Sequence, residues 1–174
     1  MIITTFLSLS KSSYIELKSM NLNDCIKDVL QLIYADALRN DVYVQAEFPD
    51  IPSIMIDKGE IRQLILNLVR NAIDAMPEGG TLTIETFADE NGVNLVVRDE
   101  GEGIPAEIVE EIWDPFATTK ETGTGLGIPV CRSIAERHNA TITFDTSPEG
   151  TSFKVTFPVG AVHETELTGW DVKR

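Results

Sequence analysis

The sequence predicts a single α+β domain, a two-layer sandwich in which helices cover one face of a sheet. Three stretches carry apolar residues at helical spacing, and the segments around them read as short strands without internal repeats. Helices that interrupt mostly consecutive strands favour this arrangement. With 174 residues, of which 43% are hydrophobic, the chain can bury one sizeable core and has no room for two large ones.

Each predicted element has its own signal in the sequence. Asn21 is expected to cap the first helix, and the turn Pro77-Glu78-Gly79-Gly80 to close the second. Alternation over residues 93–99 predicts a half-buried strand, which a turn at Glu90-Asn91-Gly92 joins to the strand before it. The buried stripe of the first helix is expected to be Ile26, Val29, Leu30, Ile33 and Ala37. The predicted order is helix 21–40, strand 42–48, helix 61–76, strands 81–87 and 93–99, helix 126–138, and strands 140–146 and 151–157.

Charge and cysteine content limit the class of function. The net charge of −14 argues against a nucleic-acid partner or direct contact with an anionic membrane, because neither is drawn to a surface of that sign. Cys25 and Cys131 occupy apolar helical positions without a metal or redox spacing, so we expect reduced, buried thiols. The sequence contains no transmembrane stretch, and its apolar start lacks the flanks of a secretion signal. We therefore expect a cytoplasmic chain, whose parent protein can still be anchored in a membrane.

Two motifs predict the ends of a nucleotide pocket. Asn67 and Asn71 stand one helical turn apart, so both amides project from nearly the same side and could hold one hard cation. Asp99 ends a strand and could accept a hydrogen bond from an exocyclic amine such as that of adenine. Gly101 and Gly103 follow it and let the backbone approach a flat ligand.

A third motif predicts a site for polyphosphate. The run Gly123-Thr124-Gly125-Leu126-Gly127 comes immediately before an apolar helix, whose first N–H groups and positive end suit an anion. An acidic protein that binds ATP also needs a divalent cation and a few well-placed positive side chains. Lys120 and Arg70 are the candidates for these; the alternative for Lys120 is a solvated surface charge, and for Arg70 a surface ion pair fits equally well.

Four motifs in order resemble those of two-component sensor histidine kinases. They are Asn-Leu-Val-Arg-Asn-Ala at 67–72 (N box), Asp-Glu-Gly-Glu-Gly at 99–103 (G1 box), Trp-Asp-Pro-Phe at 113–116 (F box) and Gly-Thr-Gly-Leu-Gly at 123–127 (G2 box). The resemblance covers residues 21–159, and residues 115–120 resemble the nitrogen-regulation and sporulation kinases in particular. It implies a Bergerat-type fold with a mixed, mostly antiparallel sheet and an ATP lid between Phe116 and Gly125.

The resemblance also implies a reaction, the transfer of the γ-phosphoryl group of ATP to a histidine. Asn71, with Asn67 as helper, would hold Mg²⁺, and Lys120 would reach the terminal phosphates. Thr151 would assist Asp99 at the adenine through water, although a threonine in a strand is commonplace. The remaining residues implied to contact ATP or ADP are Gly101, Gly103, Ile104, Gly123, Thr124, Gly125, Leu126 and Gly127.

The phosphoacceptor motif of the family is missing from this sequence. Neither His138 nor His163 has the expected neighbours; we expect His138 to serve as a helix cap or surface residue and His163 to be solvated. Residues 1–20 resemble the end of a dimerisation helix and a linker, residues 21–159 the catalytic domain, and residues 160–174 a tail. The implied partners are the kinase's own dimerisation domain and, through the full-length protein, a response regulator.

Two other classes of function stay open at this point. The gyrase and mismatch-repair type of ATPase shares the pocket but has a glutamate base four residues before the metal asparagine, where this chain has Asn67, which cannot take a proton from water. A nucleotide-sensing or partner-binding module, including the serine kinases that antagonise sigma-factor regulators, would use no histidine chemistry. The start of the chain, which resembles the end of a dimerisation helix, favours the sensor kinase.

Overall fold

The computed structural model describes residues 15–117 and 123–159, which form a five-stranded sheet, a two-stranded ribbon and three helices. In chain order the elements are β1 (Lys18–Met20), α1 (Leu22–Arg39), β2 (Val42–Glu47), β3 (Ile54–Ile56), α2 (Lys58–Asp74), β4 (Gly80–Asp89), β5 (Gly92–Arg98), α3 (Gly127–Arg137), β6 (Thr141–Ser147) and β7 (Gly150–Phe157). None of these helices is long and apolar enough to cross a membrane.

The sheet is mixed and mostly antiparallel. Its strand order is β2-β4-β5-β7-β6, in which β2 pairs with β4 in parallel and the other three pairings are antiparallel. Helix α1 packs against β2, α2 against β4 and β5, and α3 against β6, while α2 also contacts both other helices. The predicted fold class and sheet type are confirmed.

Helix α1 begins and packs as its sequence pattern predicts. The side chain of Asn21 accepts a hydrogen bond from the N–H of Asn23 at 2.9 Å, so it is the N-cap. The predicted stripe faces the core except at Leu30, which is only half-buried. Its fully buried members are Ile26, Val29, Ile33 and Ala37.

Strand β5 is buried on both faces, so the prediction of a half-buried strand is wrong. Val96 points away from the core-facing residues of its strand, yet only 5% of its surface is exposed. Its neighbours in register are Glu85 on β4 and Lys154 on β7. The Lys154 ammonium lies 5.4 Å from the centre of the Phe87 ring. Because β5 is the middle strand, long side chains from both neighbours cover its outer face.

The ribbon of β1 and β3 is not predicted by the sequence. Lys18–Met20 pairs antiparallel with Ile54–Ile56, although the first of these segments falls in the predicted linker. Ile54 and Ile56 are buried, and Met55 between them is half exposed. A three-residue strand is too short to show a period, so only the pairing reveals it.

Asp57 joins three parts of the chain next to this ribbon. Its Oδ1 accepts hydrogen bonds from the N–H groups of Gly59 and Glu60 at 2.9 and 3.1 Å and so caps α2. Its Oδ2 accepts from the N–H of Glu16 at 3.0 Å, and its own N–H donates to Nε2 of His138 at 3.0 Å. Burial raises the pKa of the Asp57 carboxyl, but the hydrogen bonds from Glu16, Glu60 and Gly59 outweigh it, and the net pKa is lowered.

His138 is the C-cap residue of α3, so the prediction of a helix cap is confirmed. The alternative prediction, a surface residue, is wrong. Its side chain has no exposed area. Nδ1 donates to the carbonyl of Ile134 at 2.8 Å, because Nε2 already accepts from the N–H of Asp57. Both ring nitrogens are therefore occupied inside the protein.

Candidate nucleotide-binding site

The two asparagines of α2 face α3. A Cβ placed on Gly127, the first residue of α3, would stand 3.4 Å from Nδ2 and 3.6 Å from Oδ1 of Asn71. The amide of Asn67 hydrogen-bonds the thiol of Cys131, one turn further along α3. That thiol also lies 3.7 Å from the carbonyl oxygen of Leu64, to which it donates. Asn71 therefore stands at the open end of the helix pair, and Asn67 lies one turn deeper.

The start of α3 has no side-chain cap from its N-cap residue. Its N-cap position is Leu126, whose side chain makes no capping hydrogen bond. Just before it, Gly125 adopts a positive φ of 63°, and its carbonyl accepts from the N–H of Phe116 at 3.0 Å. A Cβ on Gly125 would lie 2.5 Å from the carbonyl carbon of Phe116, so only glycine fits here. The first N–H groups of α3 therefore receive no hydrogen bond from the Leu126 side chain and suit an anion.

The predicted lid is only partly within the described residues. Phe116 and Gly125, its two ends, are joined by the hydrogen bond given above, and Thr124 is exposed. Lys120 lies outside the described residues, as does His163. The F box is anchored, because the Trp113 ring packs on Phe144 at a centroid distance of 5.8 Å. The roles assigned to the lid and to Lys120 stay predictions.

Asp99 is held rigidly at the other end of the site. Its carboxylate is buried, and Oδ1 accepts from the N–H of Gly101 at 2.9 Å and of Thr151 at 3.1 Å. Its own N–H donates to the carbonyl of Thr151 at 2.9 Å. The backbones are tightly packed, since a Cβ on Gly101 would lie 2.3 Å from the carbonyl oxygen of Ala75. The loop after Asp99 therefore rests on the end of α2.

A further threonine, absent from the predicted set, connects the loop after Asp99 to β7. The N–H of Ile104 donates to Oγ1 of Thr146 at 2.8 Å, and this oxygen lies 3.1 Å from Oγ1 of Thr151. Gly103 has φ of 76°, and a Cβ there would stand 2.0 Å from the carbonyl oxygen of Ser147. The hairpin register, which pairs Thr146 with Thr151, is the signal that could have identified Thr146.

The structure thus brings together the predicted site residues in two groups. Asn67 and Asn71 meet the start of α3, whereas Asp99, Gly101, Ile104 and Thr151 form a connected network at the ends of β5 and β7. Arg70 is exposed. Within residues 15–117 and 123–159 no group of His, Cys, Asp and Glu side chains could hold a metal, so a cation here would depend on amide oxygens and on the ligand itself.

This α+β sandwich has a buried carboxylate at one end of its candidate site and, at the other, a helix start without a side-chain cap beside an asparagine, an arrangement that suits a nucleotide. Residues 56–161 match the model of the histidine kinase-, DNA gyrase B- and HSP90-like ATPases, and the chain belongs to this family. Within it the chain is a catalytic domain of the sensor histidine kinase type, as its relatives show.

Sporulation kinase A of Bacillus subtilis is 40% identical over 162 residues, which cover 91% of this chain and 27% of that protein. The sensor histidine kinase ZraS of Escherichia coli is 33% identical over 160 residues, or 91% of this chain and 34% of that protein. The chain therefore spans about a quarter to a third of these relatives. The catalytic domain of histidine kinase ThkA, solved without nucleotide, superposes with a TM-score of 0.75 at 32% identity and covers 83% of this chain and 97% of that one.

Proposed function

We propose that this chain binds ATP with Mg²⁺ and donates the γ-phosphoryl group to a histidine on a dimerisation domain of its parent kinase, from which a response regulator receives it. The observation that supports this proposal most is the pair of positions it would use: Asp99 is fixed by β7, and Asn71 lies against the start of α3. The site would operate on the cytoplasmic side of the membrane, where ATP is available.

The base end favours adenine. Two backbone N–H groups fix Oδ1 of Asp99, so the carboxylate is oriented and supported as an acceptor. The exocyclic amine of adenine is a donor and would match it. The corresponding carbonyl of guanine is an acceptor and would meet the same negative charge, so ATP and ADP should bind in preference to guanine nucleotides.

The phosphate end depends on α2 and α3. The uncapped N–H groups at the start of α3 would face the phosphates, together with Thr124 and Gly123. Asn71 offers an amide oxygen beside Gly127, which fits a Mg²⁺ ligand, and Asn67 would support it by fixing α2 against Cys131. Bound Mg²⁺ would neutralise phosphate charge. Lys120 is proposed to meet the terminal phosphate.

The acceptor histidine is proposed to lie on another domain. The chain has two histidines, and His138 is buried with both ring nitrogens occupied. A phosphoryl group could reach Nε2 only after the hydrogen bond from Asp57 was broken. His163 lacks the neighbours of an acceptor.

The test is phosphotransfer between separate proteins. Mixed with ATP and Mg²⁺, the chain should not label itself but should phosphorylate the dimerisation domain of its parent, slowly, because the effective concentration provided by a covalent linker is lost. The product should be acid-labile and alkali-stable, as phosphohistidine is. Lys120→Ala should slow transfer more than it weakens ADP binding. Strong self-labelling, or an acid-stable product on serine or threonine, would instead support the serine-kinase alternative.

A further inference from the structure

The hydroxyl groups of Thr146 and Thr151 form a chain that leads from the loop after Asp99 to the base end of the site. Oγ1 of Thr146 accepts from the N–H of Ile104 at 2.8 Å and lies 3.1 Å from Oγ1 of Thr151. Thr151 is buried, and its N–H donates to the Asp99 carboxylate at 3.1 Å. This series of hydrogen bonds thus ends beside Asp99, the residue that is proposed to bind adenine.

We propose that Thr146 is a positioning residue for base recognition, acting through the hydroxyl group of Thr151. The inference rests on the proposed contact between Asp99 and adenine. Thr146 does not touch the nucleotide; it determines the direction in which Thr151 donates its proton.

The proposed direction uses the donors and acceptors of the two hydroxyl groups. A hydroxyl group has one proton to donate and two acceptor positions. The Ile104 N–H occupies one acceptor position on Thr146 and cannot receive its proton, and we take this proton to be donated to Oγ1 of Thr151, 3.1 Å away. With that direction Thr151 accepts from Thr146, and its own proton is available to a partner other than Thr146.

A directed donor beside the Asp99 acceptor matches one edge of adenine. That edge presents an amine donor next to a ring nitrogen that accepts, and Thr151 could reach this nitrogen directly or through a water molecule. Hypoxanthine reverses both groups, with a carbonyl next to a ring N–H. When Thr146 holds the Thr151 hydroxyl in the donor direction, selectivity for adenine therefore rises. When the Thr151 hydroxyl can rotate, it can accept from the ring N–H of hypoxanthine instead.

The experiment compares the dissociation constants of ADP and inosine diphosphate by calorimetry. Thr146→Val should weaken ADP binding by about three- to tenfold, the effect of one neutral hydrogen bond, and leave inosine diphosphate unchanged or slightly tighter. Thr146→Ser keeps the hydroxyl and should restore the parent's ratio of the dissociation constants for ADP and inosine diphosphate. Thr143→Val is the matched control, because this threonine of β6 is exposed. Should Thr146→Val not fold, Thr146→Ala removes the same hydroxyl with a smaller, unbranched side chain.

A second pair of variants separates this role from simple stabilisation of the loop. If Thr146 acts through Thr151, Thr146→Val should change the ratio no further in a Thr151→Val background. An equal loss of affinity for both nucleotides, or no loss, would overturn the inference. Asp99→Asn is measured in parallel: if it leaves ADP affinity unchanged, the proposed adenine contact itself has failed, whereas a loss there with an unchanged ratio in Thr146→Val refutes only the role of Thr146.

Discussion

At the residue scale, Asp99 offers the sharpest test of the base contact. Asp99→Asn keeps an oxygen for the N–H groups of Gly101 and Thr151 but loses the charge that would accept the adenine amine. We expect ADP affinity to fall about ten- to a hundredfold, or roughly 1.5–3 kcal/mol. Asp145→Asn, which changes an exposed carboxylate on β6, should have no such effect. Equal calorimetric affinity of Asp99→Asn and the parent would remove Asp99 from the site.

A substitution of Asn71 tests whether this residue binds the Mg²⁺ ion. Asn71→Ala removes the amide that lies beside Gly127, so the gain in ATP affinity on adding Mg²⁺ should disappear while metal-free ADP binding changes little. Gln63→Ala removes an amide from the same helix, two turns earlier, and should keep the Mg²⁺ effect. The measurement is a pair of titrations with Mg²⁺ and with a chelator. A full Mg²⁺ effect in Asn71→Ala would exclude this residue as a ligand.

The site residues are predictable from sequence to different extents. Asp99 and its glycines are recognisable because their chemistry is local, written in five consecutive residues. The roles of Thr146 and of Cys131, the partner of Asn67, cannot be recognised from the sequence. Each of their contacts joins two elements and depends on hairpin register or on helix packing. Cys131 is predicted as a buried thiol, but nothing in its neighbours indicates that it meets Asn67.

At the scale of elements, the packing of α2 against α3 predicts that the thiol of Cys131 reacts slowly. Burial raises the pKa of its thiol to about 12, and the hydrogen bond from Asn67 offsets only part of this. At pH 8 the native thiol should therefore stay protonated and resist iodoacetamide, which reacts with thiolate. Alkylation followed by mass spectrometry, in native buffer and in denaturant, measures this. Rapid native labelling would show that α2 and α3 separate readily.

The same pKa has a consequence for stability at high pH. A thiol whose pKa is raised in the folded state contributes stability that is fully present below the unfolded pKa, near 9, and is lost as the pH rises towards 12. We expect the melting temperature to fall over this range. Cys131→Ala, which cannot ionise, should show a flatter decline, although it is less stable at neutral pH because it leaves a small cavity. Parallel declines would contradict the assignment.

Long elements are the part of the fold that sequence predicts best. Helices α1, α2 and α3 repeat their apolar pattern over several turns, and the predicted strands agree with β2, β4, β5, β6 and β7 to within a few residues. The ribbon of β1 and β3 cannot be predicted in this way, because three residues carry no period and their pairing spans more than thirty positions. The burial of the outer face of β5 cannot be predicted from its own sequence either, because side chains from other strands cover it.

At the scale of the whole molecule, the charge of −14 should influence binding before any contact forms. ATP without a divalent cation carries several negative charges and is repelled. Raising the salt concentration from about 10 to about 100 mM shortens the screening length from about 30 to about 10 Å, which weakens this repulsion. We therefore expect metal-free ATP to bind more tightly at the higher salt and Mg²⁺-ATP to respond less. Titrations at both concentrations measure this, and weaker binding at high salt would show that local positive groups dominate.

One residue, Asp57, connects distant parts of this molecule through its carboxylate and its backbone N–H. The proposed phosphate site lies where α2 ends and α3 begins, while Asp57 joins the opposite ends of both helices to the chain at Glu16. Asn71 lies fourteen positions after Asp57 along α2, a distance of about 20 Å. A pull on the chain before β1 would load both the Glu16–Asp57 hydrogen bond and the pairing of β1 with β3 beside it, and through them the first turn of α2. Because coupling between two sites is reciprocal, a nucleotide that altered the position of α2 would in turn alter how readily the chain at Glu16 moves.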